Sequence, residues 1–252
     1  MTNASDIVGS FAKGLQVLEC FGADHPRLSI TDVARMTGLD RATARRCLLT
    51  LHGLGYAGYD GKFFTLTPKV LRLGMGALAA LPLPQIVQPW LDQLSEKIGQ
   101  SCSVSILDGT EIVYMARAAQ RRVMSIGLMP GSRLPAHCTS MGRVLLAALP
   151  ETEARAVVAA SDLTPRTVRS LHDPAEIMAE IARVRAQGHA VIDQEIELGL
   201  VSLAVPILDA RGRVVAALNT GMAALHATPE ALHGTYLPAL LKVQDGLRRV
   251  LA

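Results

Sequence analysis

The sequence predicts an α+β fold in which a small amino-terminal domain is joined by a helix to a larger carboxy-terminal domain. Three observations support this prediction. Residues 28–66 combine two helical patterns with a hairpin, residues 69–80 form a separate apolar helical pattern, and the rest alternates helices with strands typical of an antiparallel sheet. We therefore expect domains at residues 7–67 and 85–252, with a linker helix at residues 68–84.

The first helical pattern of residues 28–66 ends in a tight turn that leads directly into the second. Ser29 or Thr31 can cap the first helix, and Gly38 can supply the left-handed residue of the turn. Asp40 is placed to cap the second helix. The apolar positions of the first helix share one face: Ile30, Val33, Ala34 and Met36.

The second helix has a core face and an outer face of different chemistry. On a helical wheel the core face carries Ala44, Cys47, Leu48 and Leu51. The opposite face carries Ala42, Thr43, Arg46 and Thr50, with Arg41 and Arg45 at its flanks. Small outer residues allow a close approach to DNA, and arginine can bind guanine bidentately or contact a phosphate.

Two short strands complete the pattern of a DNA-binding head. Residues 56–59 and 62–66 are strand-like, and Asp60-Gly61 between them is a strong hairpin signal. A helix with surface arginines could by itself be only a solvated face, but the capped turn, the arginine-bearing helix and the hairpin together predict a winged helix-turn-helix. The expected DNA contacts are Arg46 and Thr43 in the major groove, Arg45 and Lys62 on phosphates, and Arg41 beside them.

The excess positive charge lies entirely in the amino-terminal part of the chain. Residues 1–72 hold nine Lys or Arg against six Asp or Glu, whereas the remaining residues hold sixteen of each. Because this excess is small, DNA affinity has to come from placement and dimerisation rather than from bulk charge. No apolar run reaches the ~18 residues of a membrane span, and no signal-peptide pattern is present, so we expect a cytoplasmic protein.

The linker pattern carries an apolar stripe outside both predicted domain cores. Residues 69–80 are typical of a helix, and its apolar positions are Val70, Leu71, Leu73 and Leu78, followed by Leu81. Pro82 and Pro84 are expected to end this helix. The stripe could pair with a second subunit or belong to an amphipathic surface helix, and the sequence leaves both interpretations open.

The carboxy-terminal domain is predicted to be a mainly antiparallel sheet flanked by helices. Strands are predicted at residues 101–107, 111–118, 122–128, 190–193, 202–208 and 214–220. Helices are predicted at residues 89–98, from Thr139 or Ser140 to Leu149, after Asp173-Pro174, and after Thr228-Pro229. The four cysteines have no metal-binding spacing and are expected to be reduced thiols in apolar surroundings.

Five stretches carry a resemblance that spans nearly the whole chain. They read SFAKGL at residues 10–15, LDRATARR at 39–46, LHGLGY at 51–56, PAHCTSMGR at 135–143 and DQEIELGL at 193–200. In these stretches the chain resembles the IclR-type bacterial transcriptional regulators. Residues 101–109 and Arg121-Arg122 resemble the branch that controls catabolism of protocatechuate, 4-hydroxybenzoate and β-ketoadipate. The resemblance implies a GAF-like effector-binding fold for the carboxy-terminal domain.

The loop at residues 129–137 leads into a helix amino terminus, where free N–H groups and the positive end of the helix dipole can bind a carboxylate. Alternatively, Thr139 and Ser140 only cap their own helix. The resemblance implies that an effector contacts Ser140, Met141, Asp193, Ser202 and Asn219. Ser202 stands where many family members have cysteine, and with Gln194 it changes the polarity of the implied pocket.

Two enzyme-like interpretations are weighed against this one. His137 and Cys138 suggest a thiol nucleophile, but adjacent side chains in extended backbone point apart and no motif places a third group. Asp193, Glu195 and Glu197 alternate at strand spacing and could form a hard-metal site or an acid–base pair, although three carboxylates without a cation are costly to pack. We therefore expect no catalytic residues, no metal and no cofactor.

The predicted function is a DNA-binding transcriptional regulator of aromatic-acid (β-ketoadipate pathway) catabolic genes that responds to a small organic acid. The expected partners are a double-stranded DNA operator, the effector, further copies of the chain in a homodimer or a dimer of dimers, and RNA polymerase, with no membrane. The alternative is a small-molecule-processing enzyme with an appended DNA-binding module. A third interpretation is a protein-interaction module built on the linker helix.

Overall fold

The computed structural model describes residues 7–22, 25–74, 82–120 and 127–251 of the chain. In these ranges, no helix is both long enough and apolar enough to cross a membrane. The α+β fold predicted from the sequence is confirmed, because helices and antiparallel strands occur together in both parts of the chain.

The chain divides into two compact units, and the smaller unit comprises residues 1–81. Its elements in chain order are α1 (Gly9–Glu19), β1 (Arg27–Leu28), α2 (Ile30–Thr37), α3 (Arg41–Gly53), β2 (Ala57–Tyr59) and β3 (Phe64–Leu66). The strands pair antiparallel in the order β1-β3-β2. The predicted helix–turn–helix and hairpin are confirmed. Strand β1 is an addition, because two residues are too short to produce a periodic signal.

Local hydrogen bonds define the turn between α2 and α3. Ser29, not Thr31, caps α2, and its capping box with Asp32 satisfies both backbone N–H groups. Gly38 ends α2 in the left-handed region at φ 70°, which other residues adopt only at a cost. The Asp40 carboxylate then accepts the N–H of Thr43 at 2.9 Å and caps α3, as predicted.

The core of this unit lies between the three helices and the sheet. Its buried side chains are Val17, Leu28, Val33, Ala44, Leu48, Ala57 and Phe64. On the predicted core face of α3, Ala44 and Leu48 are fully buried, whereas Cys47 and Leu51 are half-buried at the edge of the core. The helical wheel therefore predicted which face of α3 packs against the core.

The segment after the wing begins the predicted linker helix. Thr67 caps a 3-10 turn at Pro68–Val70, and residues 71–74 continue as α-helix. Leu71 and Leu73 are 67% and 53% exposed in this unit. Leu78 and Leu81 of the predicted stripe lie outside the described residues.

The larger unit, residues 82–252, is a six-stranded antiparallel sheet with helices on both faces. Its strands are β4 (Ser101–Asp108), β5 (Glu111–Ala118), β6 (Arg133–Pro135), β7 (Ala190–Asp193), β8 (Leu200–Leu208) and β9 (Val214–Ala223). Its helices are α4 (Pro82–Ile98), α5 (Ser140–Ala148), α6 (Glu151–Ala160), α7 (Pro174–Gln187) and α8 (Leu237–Arg248). The strand order is β6-β5-β4-β9-β8-β7. A short helix at Pro229–Ala231 and a π-helical turn at Leu232–Tyr236 precede α8.

The sheet separates two apolar cores. One core joins its first face to α4 and α8, through residues such as Leu91, Val104 and Leu240. The other joins the opposite face to α5, α6 and α7, through residues such as Leu146 and Ile181. The sheet is thus the middle layer of a three-layer unit.

Two predictions for this unit need correction. Helix α4 begins at Pro82 rather than at residue 89. Prolines are tolerated in the first turn of a helix, because the N–H groups that they lack would have no acceptor within the helix. The predicted strand at residues 122–128 lies largely outside the described residues, and Gly127 and Leu128 are not in a strand. Instead, β6 pairs with β5 at residues 133–135, within the segment predicted to be a loop.

Candidate functional site

The outer face of α3 presents three arginines to solvent. Arg41, Arg45 and Arg46 are all exposed, and Arg46 lies opposite the buried Ala44 and Leu48 on this helix. Each guanidinium has five N–H donors in a planar fork, which suits both phosphate oxygens and the acceptor edge of guanine. The helix therefore has the chemistry of a recognition helix.

Thr43 sits at the start of this face and takes part in the helix cap. Its hydroxyl donates to the Asp40 carboxylate at 2.7 Å, and its N–H donates to the same group. These two bonds lower the pKa of Asp40 below its usual value, so the cap stays ionised. The hydroxyl oxygen of Thr43 keeps acceptor capacity, and the side chain is half-buried.

The tip of the wing is held by one aspartate. The Asp60 carboxylate accepts the backbone N–H groups of Lys62 at 3.0 Å and Phe63 at 2.8 Å, and it also pairs with Arg27 at 2.6 Å. These bonds lower the pKa of Asp60. Lys62 is exposed at this tip, with its ammonium 5.0 Å from the Phe63 ring centroid. The wing therefore carries a positive charge on an ordered turn.

A cavity lies over one face of the large sheet, next to the start of α5. Strand register sets its floor: Gly221 lies between Ser101 and Ser202 on the neighbouring strands, and Asn219 lies beside Ser103. The concave space above measures about 540 Å³, including its open mouth. The other lining side chains are Tyr114, Arg117, Leu128, Leu134, Thr139, Ser140, Met141, Ile196 and Leu200.

A β-bulge brings Arg117 to this floor. The pairing of β4 with β5 shifts so that Ser103 faces Arg117 and Ser105 faces Tyr114, which leaves one extra residue on β5. Tyr114 and Arg117 are three positions apart, yet both line the cavity, whereas Met115 packs into the core on the other face. Arg117 donates to the Ser103 hydroxyl at 2.9 Å, which fixes the guanidinium over the floor.

The start of α5 forms one wall of the cavity. The Thr139 hydroxyl caps the helix by accepting the Gly142 N–H at 3.1 Å, so Thr139 and not Ser140 is the cap. The Ser140 side chain is buried, and its oxygen has no hydrogen-bond partner among the described residues. The amides of Ser140 and Met141 belong to the first turn and have no acceptor within the helix. Three polar groups without an acceptor in the helix therefore lie at this wall of the cavity.

Gly142 makes this wall possible. A Cβ at this position would lie 2.1 Å from the Ala136 carbonyl oxygen and 2.4 Å from its Cα. The backbone at residues 136–139 therefore passes directly against the helix, and a side chain at 142 would push the helix start away. This close approach is a requirement of tertiary packing that only glycine meets.

The cavity brings together four of the five residues implied as effector contacts. Ser140, Met141, Ser202 and Asn219 line it. Asp193 does not, because it is exposed at the end of the edge strand β7, where its carboxylate pairs with Arg169. Sequence reasoning missed Arg117, Tyr114 and Gly221. An interior strand glycine such as Gly221 is a usable signal, since it often marks a place where a ligand approaches closely.

The enzyme-like interpretations find no support in these contacts. Burial raises the pKa of the Cys138 thiol to about 12, which disfavours a nucleophilic thiolate. Burial also lowers the pKa of His137, with a contribution from the nearby Arg143 charge. Glu195 is buried against Arg143, whereas Asp193 forms a separate, exposed ion pair with Arg169. In the part of the chain that the structure describes, no cluster of three potential metal ligands is found.

Comparison with known proteins decides the family. Residues 10–61 match the IclR helix-turn-helix domain, and residues 75–246 match the carboxy-terminal domain of bacterial IclR transcriptional regulators. The Pca regulon regulatory protein of Pseudomonas putida is 45% identical over 98% of this chain and 85% of its own length. The chain belongs to the IclR family of bacterial transcriptional regulators.

Two further comparisons agree with this assignment. The p-hydroxybenzoate hydroxylase transcriptional activator of Acinetobacter baylyi is 37% identical over 97% of this chain and 92% of its own length. A double mutant of the inducer-binding domain of PobR from Acinetobacter, crystallised with 3-hydroxybenzoic acid, is 31% identical and has a TM-score of 0.63. That match covers 67% of this chain and 98% of the PobR domain. The predicted family resemblance is confirmed.

Proposed function

We propose that this IclR-family regulator controls genes of aromatic-acid catabolism in the β-ketoadipate pathway and responds to a small organic acid. The named relatives regulate the Pca regulon and p-hydroxybenzoate hydroxylase, which supports this class of target gene. In this proposal residues 7–67 bind operator DNA, residues 68–84 link the domains and residues 85–252 bind the effector. Such a regulator acts in the cytoplasm on bacterial DNA, as a homodimer or a dimer of dimers.

The observation that carries the proposal is the charge of the effector cavity. Its lining includes the guanidinium of Arg117 and the start of α5, and none of the described residues that line it is acidic. Both positive groups favour an anion. The lining also contains Ser140, Met141, Ser202 and Asn219, which we propose as effector contacts.

In the amino-terminal unit, we propose that Arg46 and Thr43 read bases while Arg45 and Lys62 contact phosphates, with Arg41 beside them at the DNA. The exposed arginines of α3 and the ordered tip of the wing support this assignment. A regulator of this kind senses its ligand without converting it, so the protein is proposed to have no catalytic activity. RNA polymerase is a proposed partner only when the polymerase and this regulator are both bound at the promoter.

The test combines DNA binding with ligand titration. DNA from upstream of the target genes is mixed with the full-length protein, and fluorescence anisotropy is measured with and without protocatechuate, 4-hydroxybenzoate and β-ketoadipate. We expect one of these acids to change operator affinity and to be recovered unchanged by chromatography. If the acid is consumed, the enzyme alternative is favoured, and if none of the three has an effect, the assignment to this pathway is wrong.

A steric variant locates the site in the same assay. Gly221 lies on the cavity floor, and a Cβ there would meet only Leu200 Cδ1 at an ordinary 3.7 Å. Gly221→Val, and bulky replacements of Ser140 and Ser202, should therefore retain operator binding without effector but lose the response to it. An unchanged response in all three variants would place the effector elsewhere.

A further inference from the structure

Two side chains of the segment after the wing are bonded to the end of α3, and we call their contacts the Thr67–Lys69 clasp. We propose that this clasp holds α3 at a fixed angle to the start of the linker helix, and that Lys69 is thereby a positioning residue for the spacing of DNA half-sites. The inference rests on the proposed function, because it needs two copies of the chain bound to one operator.

Helix α3 ends in a Schellman motif built on Gly55, which lies in the left-handed region at φ 78°. The Gly55 N–H bonds to the His52 carbonyl at 2.9 Å. The Tyr56 N–H bonds to the Leu51 carbonyl at 2.8 Å, which completes the motif. Among the described residues, no backbone N–H bonds to the carbonyl of Leu54 or of Gly55. These two carbonyls at the end of α3 therefore need donors from side chains or from water.

The clasp supplies both donors. The Lys69 ammonium donates to the Leu54 carbonyl at 2.7 Å, and it lies 4.8 Å from the centroid of the Tyr56 ring. The Thr67 hydroxyl donates to the Gly55 carbonyl at 2.6 Å. A Cβ on Gly55 would lie 3.8 Å from Cδ and Nζ of Lys69, so the lysine side chain passes along the end of α3. Its charge is favourable there, because the helix dipole is negative at the carboxy terminus and the ring adds a cation–π attraction.

The same two residues also begin the linker. Thr67 caps the turn at Pro68–Val70 by accepting the Lys69 N–H at 3.3 Å, and residues 71–74 follow as α-helix. The Thr67 N–H is bonded back to the Tyr56 carbonyl at 2.9 Å. Thr67 and Lys69 therefore belong both to the linker start and to the end of α3. Rotation of one of these elements relative to the other has to break the clasp.

A fixed angle matters once two copies bind one operator. B-DNA makes one turn in about 10.5 base pairs, so two inserted base pairs rotate one half-site by about 70° relative to the other. Two DNA-binding units that are joined stiffly to their linkers can follow this rotation only with strain. Loosening the joint should let each α3 reach its half-site, while Arg46 and Thr43 keep their places on that helix.

The experiment measures how strongly half-site spacing affects operator binding by the full-length protein. Half-sites are located by footprinting, and fluorescence anisotropy is measured on the operator and on the same operator with two inserted base pairs. We expect the insertion to weaken binding of the unmodified protein by about tenfold or more, but binding of Lys69→Met by only about twofold to threefold. An equal effect of the insertion on both proteins, or no effect on the unmodified protein, would overturn the inference.

Further variants separate the clasp from charge and from stability. A general loss of stability would lower both affinities alike, so the ratio between the two spacings is the readout. Lys69→Arg keeps a cationic donor and should keep most of the spacing effect. Arg72→Met is the control for charge, because Arg72 is an exposed cation of the same segment whose side chain has no hydrogen bond to the described residues. This control should bind with the spacing effect of the unmodified protein.

The inference and the proposed function fail differently. If the unmodified protein binds its operator and responds to an acid, but Lys69→Met shows the same spacing effect, only the inference is wrong. If no DNA upstream of the target genes is bound specifically, the proposed function is wrong and the inference falls with it. Should Lys69→Met fail to fold, Thr67→Val tests the same clasp, because it removes the bond to the Gly55 carbonyl and should also reduce the spacing effect.

Discussion

The guanidinium of Arg143 donates to the carboxylate of Glu195 at 2.7 Å, and both side chains are almost completely buried. The pair is satisfied on both sides, since Arg143 also donates to the His137 carbonyl at 2.9 Å and Glu195 accepts the Leu171 N–H at 3.0 Å. Burial raises the pKa of Glu195, and the Arg143 charge opposes that shift. The pair thereby ties α5 to the segment after β7, and Ile196 of that segment lines the effector cavity.

Breaking this pair should destabilise the larger unit strongly. Glu195→Gln leaves the buried Arg143 charge without a counter-charge, which typically costs about 3–5 kcal/mol of the free energy of unfolding. The matched control is Asp193→Asn, because Asp193 pairs with Arg169 at the surface, where an ion pair contributes about 0–1 kcal/mol. Urea unfolding measures the loss in the free energy of unfolding for each variant. Losses of similar size would contradict the expectation that the buried ion pair contributes more than the exposed one.

Arg46 should be required for specific DNA recognition. Arg46→Ala should weaken binding to the operator by about 1–3 kcal/mol, the size of a bidentate base contact, without lowering the melting temperature. Arg45→Ala and Lys62→Ala should instead weaken binding to all sequences and reduce its salt dependence, because they are proposed to contact phosphates. Anisotropy titrations at several salt concentrations make the comparison. Operator affinity of Arg46→Ala equal to that of the unmodified protein at the same salt would refute its role.

Leu73, one of two exposed leucines after the wing, should contribute to self-association. Leu73 is 53% exposed, and an apolar side chain of this kind favours burial against a second copy of the chain. Leu73→Glu should lower the sedimentation mass and weaken binding to paired half-sites. Leu198→Glu introduces the same change at a leucine that is 59% exposed elsewhere and serves as the control. If Leu73→Glu retains the mass of the unmodified protein, this role is excluded.

Gly142 should tolerate no side chain. Because a Cβ there would meet the Ala136 carbonyl oxygen at 2.1 Å, Gly142→Ala should cost about 1–3 kcal/mol or more and impair the response to effector. Gly234→Ala is the matched control, since a Cβ at that position would meet no atom within 4 Å outside its own turn of helix, and the change should be neutral or mildly stabilising. Thermal unfolding and effector titration test both variants. Equal melting temperatures would mean that the backbone near residue 136 yields easily.

The sequence by itself determined the features that depend on short-range interactions. The caps at Ser29 and Asp40, the left-handed Gly38 and the hairpin turn at Asp60-Gly61 involve residues only a few positions apart. Their hydrogen bonds join near neighbours in the chain, so the local pattern predicts them, although for α2 the sequence left Ser29 and Thr31 both open as the cap. The arginine face of α3 followed from the same logic, because helical periodicity relates neighbouring positions.

Tertiary structure alone decided which polar groups meet in the cavity. Simple alternation along β5 would place Tyr114 and Arg117 on opposite faces, and only the bulge puts both over the cavity. The same holds for Asp193, which ends an edge strand and turns to Arg169 instead of the cavity. Strand order, register shifts and the pairing of Arg143 with Glu195 join residues far apart in the chain, and such contacts leave no periodic signal in the sequence.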